Sequence, residues 1–238
     1  MTMANFLSSK IKKGFTLAEV LITLVIIGVI AALTIPTLVT KYQKEQTVSQ
    51  LKQVFSQLNQ ASMLSLPEHG DMTTWDYSLS DYEILKKYFK FVKAKEMNLS
   101  RDEILYLRSD GQYEDGLRVS RNGAKVIVLN SGTIIYSTND SVSTPVKTRC
   151  YTVDLNGLKG PNRYGRDAFF VCLDGERGRI IPHQIQDNES PTVERSREQL
   201  LNGPSSYSYQ CNKTNGRGMW CGALIIKDGW QIKDDYPW

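Results

Sequence analysis

"KKGFTLAEVLITLVIIGVIAALTIPTL", residues 12–38, decides the architecture, and one residue in it breaks the apolar pattern: Glu19. Residues 20–40 contain no charged side chain. That is 21 residues, and roughly 20 apolar residues in a helix cross the hydrocarbon core of a bilayer. A carboxylate at the edge of such a segment is costly unless it finds a partner. Glu19 either sits among lipid headgroups at the end of an ordinary anchor, or it awaits a positive charge from another molecule.

The chain has 238 residues and a formal net charge of +4. The excess is largely local. Lys10, Lys12 and Lys13 precede the apolar run, and without them 26 basic residues face 25 acidic ones. Lysines ahead of a first apolar helix hold that side in the cytoplasm, so the rest of the chain is expected across the membrane. Beyond the helix remain about 170 residues, enough for one domain with a real core. All four cysteines, Cys150, Cys172, Cys211 and Cys221, fall in that exported part, and none are spaced as CxxC. This disfavours a zinc ribbon or dithiol redox motif and favours two disulfides. Three pairings are possible; the sequence-local pairs Cys150–Cys172 and Cys211–Cys221 are preferred. Each would stabilise the fold by roughly 3 kcal/mol in the chain-entropy model.

A cleavable secretory signal would end in an A-x-A-like site, and none follows the apolar run. Instead a short basic leader ends in Gly14, and Phe15-Thr16-Leu17-Ala18-Glu19 opens the run. This resembles the signal of type IV pilins and of the pseudopilins of type II secretion. The resemblance implies cleavage between Gly14 and Phe15 by a prepilin peptidase, which also N-methylates the new terminus. It further implies that the Glu19 carboxylate meets the Phe15 amine of a neighbouring subunit in an assembled fibre, two costly charges becoming tolerable as a pair. Pro36 matches the proline that this family commonly carries within the helix, where it removes one backbone hydrogen bond and loosens the rod.

Downstream, Val48, Leu51, Phe55 and Leu58 recur at spacings of three and four, an amphipathic continuation of the helix. It is expected to end near Leu66-Pro67. Tyr82, Leu85, Tyr88, Phe89 and Val92 predict a second helix over residues 80–94, and Ser100-Arg101-Asp102-Glu103 resembles a capping box opening a helix over residues 102–107. "KVIVLNSGTIIYS", residues 125–137, reads as a hairpin, with further strands over 147–153, 168–173 and 179–182. Residues 186–208 are polar and predict a surface loop. The order defines an α+β fold: a long N-terminal helix, transmembrane then amphipathic, packed on a C-terminal antiparallel sheet. Its divisions are a leader at 1–14, a membrane half-helix at 15–40, an amphipathic half at 41–66 and an exported domain at 67–238.

One loop could carry chemistry. "DLNGLKGPNRYGRD", residues 154–167, offers Asp154, Asn156, Asn162 and Asp167 as hard oxygen ligands of the kind calcium takes. It is not an EF-hand, lacking the glutamate at position twelve. Pilin-like proteins carry similar stretches, and major pseudopilins bind calcium in a loop, so the resemblance makes calcium a candidate cofactor. The competing reading is a tight connection in which Asp and Asn cap their own turns. No catalytic pattern is present: His69 and His183 pair with nothing in sequence, and G-x-S-x-G and HExxH are absent. The expectation is a non-enzymatic, pilin-like subunit of a type II secretion pseudopilus or type IV pilus, held in a bacterial inner membrane before joining a periplasmic or cell-surface fibre. Its expected partners are other pilin or pseudopilin subunits, the prepilin peptidase and an inner-membrane assembly platform. The alternative is a minor pilin acting as an adhesin or DNA-uptake module, for which no basic stripe with interleaved aromatics speaks.

Overall fold

The structure is a computed structural model that describes residues 14–99, 105–118, 124–137, 147–184, 193–205 and 207–238. The leader lysines and the Ser100–Glu103 cap lie outside the described residues, as do residues 186–192 and 206 of the 186–208 stretch. The chain divides into two units, residues 1–43 and 44–238.

The first unit is helical from Leu17 onward and belongs to α1, Leu17–His69. Its most apolar window has a mean hydropathy of 2.6 and contains no residue buried within the chain. Leu24, Val25, Ile27 and Leu33 are all more than half exposed, on different faces. A helix apolar all round is made for lipid or for other helices. The helix continues through Pro36, although that residue cannot donate to the Ala32 carbonyl.

In the second unit α1 turns amphipathic. Val48, Leu51, Val54 and Leu58 are buried, and Phe55 packs against the same core. Fully burying one such side chain is worth roughly 1.5–3 kcal/mol. The helix passes Pro67 and ends at His69, two residues beyond the expected stop. Gly70 terminates it, with φ of +72° and its N–H bonded back to the Leu66 carbonyl at 3.0 Å, a left-handed cap that glycine adopts without penalty.

Eight strands follow among the described residues: β1 Ala94–Leu99, β2 Leu105–Leu107, β3 Tyr113–Arg118, β4 Ala124–Leu129, β5 Ile134–Tyr136, β6 Thr148–Asp154, β7 Ala168–Asp174 and β8 Arg179–Pro182. β2 and β3 form a separate ribbon; the others form one antiparallel sheet in the order β1-β4-β5-β6-β7-β8. Both sheet faces are covered. Ile127, Leu129, Ile135, Tyr151, Val153, Phe169, Val171 and Leu173 share a core with α1. Val126, Val128, Ile134, Tyr136 and Phe170 share another with Tyr106 of β2 and Tyr164. Burial on both faces is why "VIVL" and "AFFVCL" are unbroken apolar runs rather than alternating ones.

Three expectations are corrected. The second helix, α2, spans only Asp81–Tyr88: the Lys90 N–H bonds to the Ala61 carbonyl at 3.1 Å, and Val92 is 72 % exposed. Residues 94–99 then pair with β4 over six positions, Ala94 opposite Leu129 through Leu99 opposite Ala124. Residues 105–107 are strand, not helix, bonded to β3. Within 186–208 lies a helix, α3 Arg197–Asn202, opened by a capping box of Ser196 and Gln199. A last helix, α4 Cys221–Lys227, is buried over its first five residues.

Candidate assembly site and the loop of residues 154–167

The head of α1 carries the first candidate site. The Thr16 backbone N–H and hydroxyl each donate to Glu19 Oε2 at 2.8 Å, and the Glu19 N–H donates to Thr16 Oγ1 at 3.2 Å. Thr16 is thus the N-cap and Glu19 the third helical residue of a reciprocal capping box. The Thr-x-x-Glu spacing at 16–19 was open to recognition, yet Thr16 escaped the sequence reading, which weighed Glu19 only against lipid and a neighbour. All three bonds leave Oε1 without a partner among the described residues. Phe15, one residue ahead, is 89 % exposed, so a terminus created there would be accessible. Pro36 lies far along the helix and takes no part in this end.

The second candidate, the 154–167 loop, joins β6 to β7. Asp154 Oδ1 accepts the N–H groups of Asn156 at 3.2 Å and Gly157 at 2.9 Å, and Oδ2 accepts the Tyr106 hydroxyl at 2.7 Å. Asp167 Oδ1 accepts the Arg163 N–H at 2.5 Å; Oδ2 accepts the Asn162 N–H at 2.8 Å and Asn156 Nδ2 at 3.3 Å. Hydrogen bonds thus link the Asp154, Asn156 and Asp167 side chains and the Asn162 backbone within one loop, and every carboxylate oxygen is already an acceptor. Burial pushes the Asp154 carboxyl up to about 7, against the Tyr106 hydrogen bond, with the Asp167 charge adding to the rise. Burial raises Asp167 as well. Oxygen donors suit a hard cation, yet both carboxylates are spent on the loop's own amides and the Tyr106 hydroxyl, which supports the turn-capping reading. The side-chain oxygens of Asn156 and Asn162 are buried with no hydrogen-bond partner among the described residues and are the donors a cation would still find. The expected result is a melting temperature unchanged between calcium and chelator. A rise of several degrees, the effect of roughly 2.7 kcal/mol at a hundredfold excess over the dissociation constant, would assign the loop to the cation.

Cys150 pairs with Cys172 and Cys211 with Cys221, with Sγ–Sγ distances of 2.02 and 1.98 Å. Beside the first pair lies His183, which the sequence left without a partner. It is enclosed by the rings of Phe170 at 5.5 Å and Tyr209 at 5.4 Å. Burial, with the Arg195 charge nearby, holds its imidazole down to about 4. Because the folded value lies below the ordinary 6.5, the native state keeps its advantage above pH 6.5 and loses it as pH falls through about 4. The expected loss is about 3 kcal/mol. It is read as the change in the stability difference between wild type and His183→Leu over that window. A difference independent of pH would show that the imidazole stays neutral in both states or charges freely in the fold.

An apolar, lipid-compatible helix with an acid-capped head, joined to an α+β domain, defines a pilin-type subunit. Comparison with known families agrees: the prokaryotic N-terminal methylation motif matches residues 9–35, the signal of type IV pilins and pseudopilins. The Family of unknown function (DUF6613) matches residues 37–141 and 191–238, well over half of the chain, and the chain belongs to that family. No curated protein and no solved structure matches it. The motif marks a membrane-anchored protein that a prepilin peptidase processes and that assembles with other pilins, in a class that is structural rather than catalytic.

Proposed function

We propose that the protein is a subunit of a type II secretion pseudopilus or a type IV pilus. On this reading its leader stays in the cytoplasm and is cleaved between Gly14 and Phe15. The globular domain is exported, and Glu19 receives the Phe15 amine of a neighbour as α1 leaves lipid for a helical bundle. The observation that carries the reading is the head of α1: an exposed Phe15 and a capped Glu19 in front of a helix that is apolar on every face. The capping box holds the carboxylate oriented before assembly, with one oxygen left to accept an incoming ammonium. Mass spectrometry of the mature protein tests it. Phe15 is expected first, carrying a methyl group on its amine, and the same species is expected in sheared fibre fractions. A mature terminus elsewhere sinks the assignment.

A further inference from the structure

Three neighbouring strands bring a second set of donors to one place. Cys150 of β6 is the direct register partner of Cys172 of β7, and Cys172 faces Ile181 of β8. The His183 N–H bonds to the Phe170 carbonyl at 3.3 Å. Side chains alternate with period two, so positions 150, 172 and 183 share one face of the sheet. Their sulfurs and an imidazole nitrogen all lie within 4.8 Å of one another. His183 is only 9 % exposed, and its Nδ1 has no hydrogen-bond partner among the described residues. An orphaned buried nitrogen costs free energy and calls for an explanation.

We propose that Cys150, Cys172 and His183 form a binding site for a thiophilic divalent cation, zinc by preference, whenever the Cys150–Cys172 disulfide is reduced. A dithiol reductant supplies two electrons and two protons, breaking the S–S bond and giving two thiols. The cation then displaces both thiol protons to solvent, forms two metal–sulfur bonds and takes the lone pair of the imidazole. Two thiolates and one imidazole are the donors zinc favours, at about 2.3 Å and 2.0–2.1 Å. Cys150 is half-buried, which leaves an approach for the ion and a fourth position for water. The seven-pair ladder between β6 and β7 keeps both cysteines facing each other without the covalent bond. In the oxidised protein the sulfurs are bonded to each other, so disulfide and metal exclude one another. The site is independent of the fibre reading.

Cobalt is the probe. The full-length protein in detergent, reduced with a phosphine, is expected to bind one cobalt ion per chain, with a near-ultraviolet thiolate-to-cobalt band that zinc bleaches. The oxidised protein shows no band. His183→Leu removes a direct ligand and weakens cobalt binding by more than the roughly ten- to hundredfold that losing a partner of a ligand costs, while Cys211→Ala/Cys221→Ala retains the signal. If that double variant does not fold, alkylation of the reduced wild type decides: zinc must slow labelling of Cys150 and Cys172 and leave Cys211 and Cys221 unaffected. Absence of the band, His183→Leu binding as tightly as wild type, protection of the wrong pair, or loss of the cooperative melt on reduction each overturns the proposal.

Discussion

Replacing Gly14 with isoleucine is expected to leave the protein in the membrane as uncleaved precursor. The reason lies in the peptidase and not in this chain's packing, since a Cβ built at Gly14 meets no atom within 4 Å. If the cut falls after Gly14, as proposed, the carbonyl to be attacked belongs to that residue. A branched side chain there shifts the carbonyl in the enzyme's site, and misplacement by about 1 Å costs on the order of a hundredfold in rate. Insertion should be untouched, because the apolar window lies wholly downstream. The globular domain should carry both disulfides as before. Immunoblots of membrane fractions would show the precursor, and intact-mass spectrometry would show no methylated Phe15. A Gly14→Ile protein cleaved at the wild-type rate would place processing elsewhere and remove the basis for a free Phe15 amine.

What could be read in the sequence follows from how local each determinant is. α1 was legible because its uncharged run and its Val48-Leu51-Phe55-Leu58 stripe are written in consecutive turns. The β4–β5 hairpin was legible because Asn130-Ser131-Gly132 supplies the turn, with Gly132 at φ +87°. β1 was not. Ala94, Lys95, Glu96 and Met97 are helix formers, and their extended state is imposed by six pairings with β4, a non-local effect that propensity cannot register. β2 is likewise held by β3. α4 opens with a buried apolar run, "CGALI", which periodicity alone cannot assign to helix or strand. At the sites, the grouping of Asp154, Asn156, Asn162 and Asp167 in one short loop was readable. That Asp and Asn would cap their own turns was readable there too, as the competing reading; that the Tyr106 hydroxyl of β2 would take the second Asp154 oxygen was not, because that donor comes from a distant strand. His183 looked solitary because its neighbours, Cys150 of β6, Phe170 and Cys172 of β7 and Tyr209, come from distant parts of the chain.

Glu19→Ala is expected to be inserted, cleaved, methylated and disulfide-bonded, yet poorly recovered in fibres. Two interactions are lost together, and they can be separated. Within one chain, Glu19 caps α1 through the Thr16 N–H and hydroxyl. Between chains, it is proposed to take the ammonium of a neighbour's Phe15. Thr16→Val removes the hydroxyl contribution to the cap and keeps the charge. Glu19→Gln keeps a side chain that can complete a capping box and removes the charge. If the cap alone mattered, Thr16→Val would resemble Glu19→Ala and Glu19→Gln would resemble wild type. The charge-pair account requires the reverse order. Losing the carboxylate leaves an ammonium unpaired in a low-dielectric bundle, the situation in which breaking an ion pair is most damaging. Recovery in sheared fractions should therefore fall about tenfold or more for Glu19→Ala, less for Glu19→Gln and little for Thr16→Val. The globular domain should not respond, since its core begins at Val48 and lies well beyond Glu19 along the chain. Cysteine pairs placed along residues 15–40 would report the subunit contacts by crosslinking, and in Glu19→Ala those crosslinks should disappear along with the fibres. Fibres of Glu19→Ala at wild-type yield would mean that the carboxylate serves its own helix end and that another contact sets the register between subunits.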